Sequence, residues 1–163
     1  MRVFARGCFG LAGLPASCEI VEGDIRRLQE TPALLDGIDA IIHLAGLAND
    51  PSCDLDQEMA WDVNVESTLE LARLAMEHGV SRFIFASSCA VYGHGGFARL
   101  DENSPANPVS TFGMTKRAAE EGLLAMASRS FQPVVVRAGT LFGVSPRMRF
   151  DLAINQMVAT GLK

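Results

Sequence analysis

The chain of 163 residues has a single tyrosine and no CxxC pair among its four cysteines, Cys8, Cys18, Cys53 and Cys89. It also has no run of 18 apolar residues and no cluster of five or more basic ones. Each absence excludes something. Without paired cysteines a structural zinc site is not expected, no metal is assigned, and a reducing, cytoplasmic setting is the plain reading. Without a long apolar run no membrane span is expected. A net charge of −5 with no basic cluster argues against a nucleic-acid or anionic-membrane partner. The opening MRVFARGCFGLAGLPASC has early arginines and a small-residue end before Cys18, as a lipoprotein signal would, but Arg6 interrupts the apolar core such a signal needs. With one tyrosine, phenol chemistry is confined to Tyr92.

What is present is apolar. Residues of that kind make up 48% of the chain, and the mean hydropathy is positive. That suits a parallel sheet whose strands are continuous apolar runs, or a protein whose surface a partner covers. The length is that of one domain, residues 1–163, with enough chain to bury a core.

Strand-like runs alternate with helical ones. RVFA (2–5) and EIVEGD (19–24) flank a Gly/Pro loop, and a brief helix is expected over 28–37, ending at Gly37. DAIIHLAG (39–46), RFIFASS (82–88) and PVVVRAG (133–139) have the shape of buried parallel strands. A helix over 57–78 places Trp61, Val65, Leu69, Ala72 and Met76 on one stripe and is capped by Gly79. Further helices are expected over 109–128 and 149–163, and a loop over 93–108. The alternation predicts an α/β fold: a doubly wound parallel sheet in three α/β/α layers, Rossmann-like and partial.

Gly7, Gly10 and Gly13 form a GxxGxxG of the type that cradles pyrophosphate. Such a motif must open a helix before the next strand, and only LPASC separates Gly13 from EIVEGD, with Pro15 inside it. The fingerprint reading therefore fails on context. In STFGMTKRAAEE (110–121), Phe112 and Lys116 are four apart and share one helix face.

Four stretches together, VEGDIR (21–26), IIHLAG (41–46), FASSCAVYG (85–93) and NPVSTFGMTK (107–116), resemble the extended short-chain dehydrogenase/reductase family, the NAD-dependent sugar-nucleotide epimerases and dehydratases. DVNVESTLELA (62–72) and VVVRAGTLFG (134–143) fit the same pattern. The resemblance implies NAD as cofactor and a sugar nucleotide as substrate. It places Asp24 and Ile25 at the adenine, Leu44, Ala45 and Gly46 beneath the dinucleotide, Asn64 and Ser87 near the cofactor, and Lys116 on the nicotinamide ribose. Ser88 falls where a hydroxyl bonds the substrate's reacting oxygen. Cys89 and Ala90 stand where the 4,6-dehydratases carry an acidic pair, so dehydration by that route is not expected.

The departures are as informative. The position of the catalytic tyrosine is Phe112, which can neither take nor give the proton. General acid–base catalysis typically contributes about 10²–10⁴ in rate, and that much should be missing. Ser110 and Thr111 are nearby hydroxyls but far weaker bases. RVFA aligns best with the family's second strand, with Ala5 where an aspartate would bind the adenine ribose. The first strand, the glycine loop and the C-terminal substrate part are then absent, and NAD binding is expected to be weak or lacking. Lacking its usual central neighbour, RVFA is expected to slide against AIIHL, giving the strand order 19–23, 2–5, 40–44, 83–87, 133–138.

Two functions follow from the resemblance: an impaired NAD-dependent epimerase relative, or a non-catalytic binding or regulatory subunit that forms a homodimer, or pairs with an active partner, through helices 57–78 and 109–128. A shortened gene product with no selected role fits the same residues.

Overall fold

In RFIFASS the alternate residues Phe83, Phe85 and Ser87 turn inward, and the strand they form buries both phenylalanines completely. The computed structural model describes residues 1–7, 13–95, 99–145 and 148–162. This central strand, β4 (Arg82–Ser88), lies between β3 (Ala40–His43) and β5 (Gln132–Ala138), and all three run parallel. The register sets Ile41 beside Phe83, and His43 and Val135 beside Phe85, so these side chains share one face. Two fully buried phenylalanines contribute roughly 1.5–3 kcal/mol each.

Helices cover that face. The helix α1 (Asp50–Leu55) is short and starts at Asn49, whose side chain accepts the Ser52 N–H. It is followed by α2 (Gln57–Trp61), a π-helical turn (Asp62–Glu66) and α3 (Ser67–Glu77), and later by α4 (Thr111–Ala125). Leu71, Ala72 and Ala75 of α3 and Ala119 and Leu123 of α4 join Phe83 and Phe85 in one core. The opposite sheet face leaves Ile42, Val134 and Val136 exposed. The class expected from the alternation is the one adopted: parallel, Rossmann-like α/β. No helix among the described residues is long and apolar enough to cross a membrane.

The expected strand order is corrected at one junction. β1 (Arg2–Ala5) pairs in parallel with β2 (Glu19–Glu22), but no ladder joins β1 to β3, and the strands form a pair and a trio. Anchors at the start of β1 outcompete sliding. Arg2 donates to the carbonyls of Ala33, Leu34 and Asp36, at 2.9, 2.7 and 3.1 Å, and its Nε lies 2.9 Å from a Glu19 carboxylate oxygen. Phe4 and Val21 pack on the common core from where these bonds hold them.

Smaller differences have local causes. The brief helix expected over 28–37 is two 3-10 turns, Ile25–Glu30 and Pro32–Leu35, broken at Thr31 (φ −131°, ψ 63°), because a residue before proline avoids the helical region. The 57–78 stripe does not run straight: Val65 and Ala72 are buried while Trp61 and Met76 are each 41% exposed. The π-helical turn inserts an extra residue and rotates the stripe. Gly79 (φ +75°) follows the last turn as expected. The terminal helix is α5 (Ala153–Gly161), shorter than 149–163. Of the three glycines between β1 and β2, Gly10 lies outside the described residues; Gly7 and Gly13 have φ of 68° and 90°. No helix occurs among the described residues of that connection.

Candidate functional site

The start of α4 is fixed by Ser110, whose hydroxyl accepts the Gly113 N–H at 3.2 Å. Gly113 then rests on the 3-10 turn Cys89–Tyr92, so closely that a Cβ there would stand 2.7 Å from the Ala90 carbonyl oxygen. This seat aims the next turn of α4 at the C-terminal ends of β3 and β4. Lys116 is buried there. Its ammonium donates to the Ala86 carbonyl at 3.0 Å and lies 4.7 Å from the Phe85 ring centre and 5.9 Å from that of Phe112. Burial pushes the Lys116 pKa down to about 8, against the weaker pull of Cys53 and Glu120 upward. Among the described residues no carboxylate stands within 4.0 Å of it.

Asn64 sits inside the π-helical turn, fully enclosed, and all its hydrogen-bonding groups are engaged. Its Oδ1 accepts the Leu47 N–H at 2.8 Å, and its Nδ2 donates to the Leu47 carbonyl and to Thr115 Oγ1, both at 3.1 Å. The asparagine clamps the backbone just past β3. Gly46 lies directly over it, where a Cβ would meet Asn64 Oδ1 at 2.8 Å and Lys116 Nζ at 3.5 Å. Leu44, Ala45 and Gly46 are exposed, so the floor they form is open.

Beneath this floor His43 is buried, with Nε2 2.9 Å from Thr68 Oγ1. The Thr68 hydroxyl donates its one hydrogen to the Asn64 carbonyl at 2.9 Å. The imidazole must therefore donate from Nε2. Burial, helped by the Lys116 charge, lowers the His43 pKa to about 4 and keeps the ring neutral.

Ser87 and Ser88 have different environments. Ser87 is buried and donates to Glu120, a wholly buried carboxylate gripped by Arg137 through Nε at 3.0 Å and Nη2 at 2.7 Å. Arg137 also donates to the Tyr92 hydroxyl at 3.0 Å, and its pKa is held up first by the Glu120 hydrogen bonds. This network ties β4, β5, α4 and the turn at Tyr92 together. Ser88 is half-buried; its oxygen accepts the Ala90 N–H at 3.2 Å, leaving its own hydrogen to donate.

At the end of β2, Asp24 caps the turn after it and is forked by Arg26, with Oδ1 taking the Arg26 N–H and Nε, both at 3.0 Å, and Oδ2 taking Nη2 at 2.7 Å. The Arg26 hydrogen bonds hold its carboxyl well below the usual range. Ile25 packs against the core. Among the described residues no group of His, Cys, Asp or Glu is arranged as a metal ligand set.

Of the residues singled out from sequence, Lys116, Phe112, Asn64 and Gly46 come together. Ser87 belongs to the Glu120 network, and no hydrogen bond links Ser88 or Asp24 to Lys116. Glu120, Arg137, His43 and Thr115 escaped notice. The signal for the first two was available: an arginine in the apolar run PVVVRAG needs a buried acid, and Glu120 is one turn beyond Lys116 on the same face.

The profile of the NAD dependent epimerase/dehydratase family matches residues 4–162. A protein of Bacillus subtilis (strain 168) described as an uncharacterized UDP-glucose epimerase, YtcB, is 31% identical over 134 residues, covering 80% of this chain and 41% of the relative. MoeE5, solved in complex with UDP-glucuronic acid and NAD, superposes with a TM-score of 0.75 at 29% identity, over 90% of this chain and 50% of that one. A dTDP-glucose 4,6-dehydratase double mutant, DesIV from Streptomyces venezuelae, gives 0.83 at 23% identity, a likeness of fold, over 99% of this chain and 52% of that one. The chain thus spans about half the length of the relatives it matches.

Proposed function

We propose, because the chain belongs to the NAD dependent epimerase/dehydratase family, that its site is the nicotinamide-ribose end of a sugar-nucleotide epimerase site whose proton carrier has been replaced. The observation that carries this reading is Phe112: its ring stands 5.9 Å from Lys116 Nζ, one turn away on α4, and has no oxygen to exchange a proton.

The residues fit a nicotinamide dinucleotide at that end. Lys116 has three donor hydrogens and one protein acceptor, Ser88 has a hydrogen to give, and Leu44–Gly46 leave an open strip of backbone. A bound dinucleotide would supply the hydride acceptor. Lys116 would hold its ribose, and Ser88 would hold the reacting oxygen of the sugar. Asn64 and Ser87 are committed to protein partners, so their part is to support the floor and the strand end. Asp24 can still accept at a lone pair left by the Arg26 fork. The far end fits poorly: among the described residues no helix N-terminus follows β1 to receive a diphosphate.

The test is epimerisation of UDP-glucose at millimolar NAD by the native chain and by Phe112→Tyr. The native chain should stay near background, and the variant should gain about 10²–10⁴-fold, the usual worth of a proton carrier. A native chain that turns over freely would overturn the reading.

A second reading rests on the surfaces of the helices. Met59, Trp61, Met76, Met114 and Leu124 of α2, α3 and α4 are 41–50% exposed, an apolar showing that suits a non-catalytic subunit. It is favoured if Phe112→Tyr changes nothing and light scattering finds a dimer; a monomer at high concentration tells against it.

A further inference from the structure

The strands β3, β4 and β5 run parallel, and a parallel sheet is ordinarily covered on both faces, by helices. Here helices cover one. On the other face the register sets Ile42, Ile84 and Val134 in a row, with Ala86 and Val136 in the next. Ile42, Val134 and Val136 are 47–65% exposed there, and none of the five is charged.

A second bare surface lies on α5. Its sequence, AINQMVATG, has no charged residue, alone among the α-helices described. Ile154, Met157 and Val158, with Leu162 just past the helix end, follow the i, i+3, i+4, i+8 spacing of one helical stripe. That stripe is 37–84% exposed. Asn155, on another side of the helix, is buried: its Oδ1 accepts the Gly143 N–H at 3.1 Å and its Nδ2 donates to the Arg149 carbonyl at 2.9 Å. This tether holds α5 to its own connection and turns the stripe outward. Among the described residues α5 packs broadly on no other element.

We propose that α5 of a second copy of this chain covers the bare sheet face, and that the exchange is reciprocal about a twofold axis. A helix is the element that covers a parallel sheet, and α5 is the described α-helix left without a packing partner. Each chain carries both surfaces, so one symmetric contact buries each of them twice. At roughly 100 Å² of apolar surface for each exposed side chain, one helix on one sheet buries about 700 Å². The pair buries about 1,400 Å², within the range of stable interfaces. With no charge on either surface, the net charge of −5 on each chain does not set like charges against each other in the contact.

Sedimentation of the native chain, of Val134→Asp and of Met157→Lys tests this. Both positions are exposed, so circular dichroism should be unchanged. The native chain should be a dimer at micromolar concentration. Each variant alone should dimerise at least about tenfold more weakly, since a charge enters an apolar contact. An equimolar mixture of the two should recover the dimer: the new acid on one sheet meets the new base on the other copy's helix, while the second contact keeps its native residues. Met114→Asp, on the exposed side of α4, should leave the native dimer intact. A native monomer overturns the proposal, as do a dimer that only Met114→Asp weakens, a mixture that stays monomeric, and growth into open chains. Hydrogen exchange of the native chain is a second readout that needs no variant. The α5 amides should exchange more slowly as concentration rises, and exchange independent of concentration overturns the proposal.

Discussion

His43 is a buried base with a fixed tautomer, since the Thr68 hydroxyl hydrogen is already given to Asn64 and the ring must supply the other. Its folded pKa of about 4 lies below the ordinary 6.5. The sign follows: as pH falls from 6.5 toward 4 the unfolded chain takes up a proton that the folded chain refuses, so stability is full above that window and is lost through it. Urea unfolding should show about 2 kcal/mol less stability at pH 5 than at pH 7.5 from this group, and His43→Gln should flatten that part of the profile. An identical slope in the variant would contradict the buried, neutral imidazole. Residues such as Lys116 and Phe112 were legible because spacing along one helix makes them neighbours. His43 was not, because its partner Thr68 is brought to it by tertiary packing across 25 residues.

At the scale of elements, the seat between α4 and the Cys89–Tyr92 turn decides where Lys116 and Phe112 point. Gly113 makes that seat, and the atom its missing Cβ would meet is a backbone carbonyl oxygen, which cannot swing aside as a side chain would. Gly113→Ala should therefore destabilise the chain by about 1–3 kcal/mol in urea unfolding, although alanine is the better helix former. A stabilised variant would show that α4 is not seated as described. Strands and long helices were readable from apolar alternation alone. Alternation is a local pattern, so it could not reveal the extra residue in the turn Asp62–Glu66 that carries Asn64, nor that Arg2 would fasten β1 to the carbonyls of 33–36 and keep it from pairing with β3.

For the whole molecule, the fold superposes on that of a relative about twice as long, while among the described residues no helix N-terminus follows β1 to receive a diphosphate. On the proposed reading, Lys116, Ser88 and the Leu44–Gly46 strip would grip one end of a dinucleotide only. A single charged lysine and a hydroxyl provide a small part of what a full set of phosphate contacts would add. Isothermal titration of this 163-residue chain with NAD tests the account most directly. A dissociation constant above about 100 μM, some 5.5 kcal/mol of binding free energy, is the predicted result; micromolar affinity would contradict it.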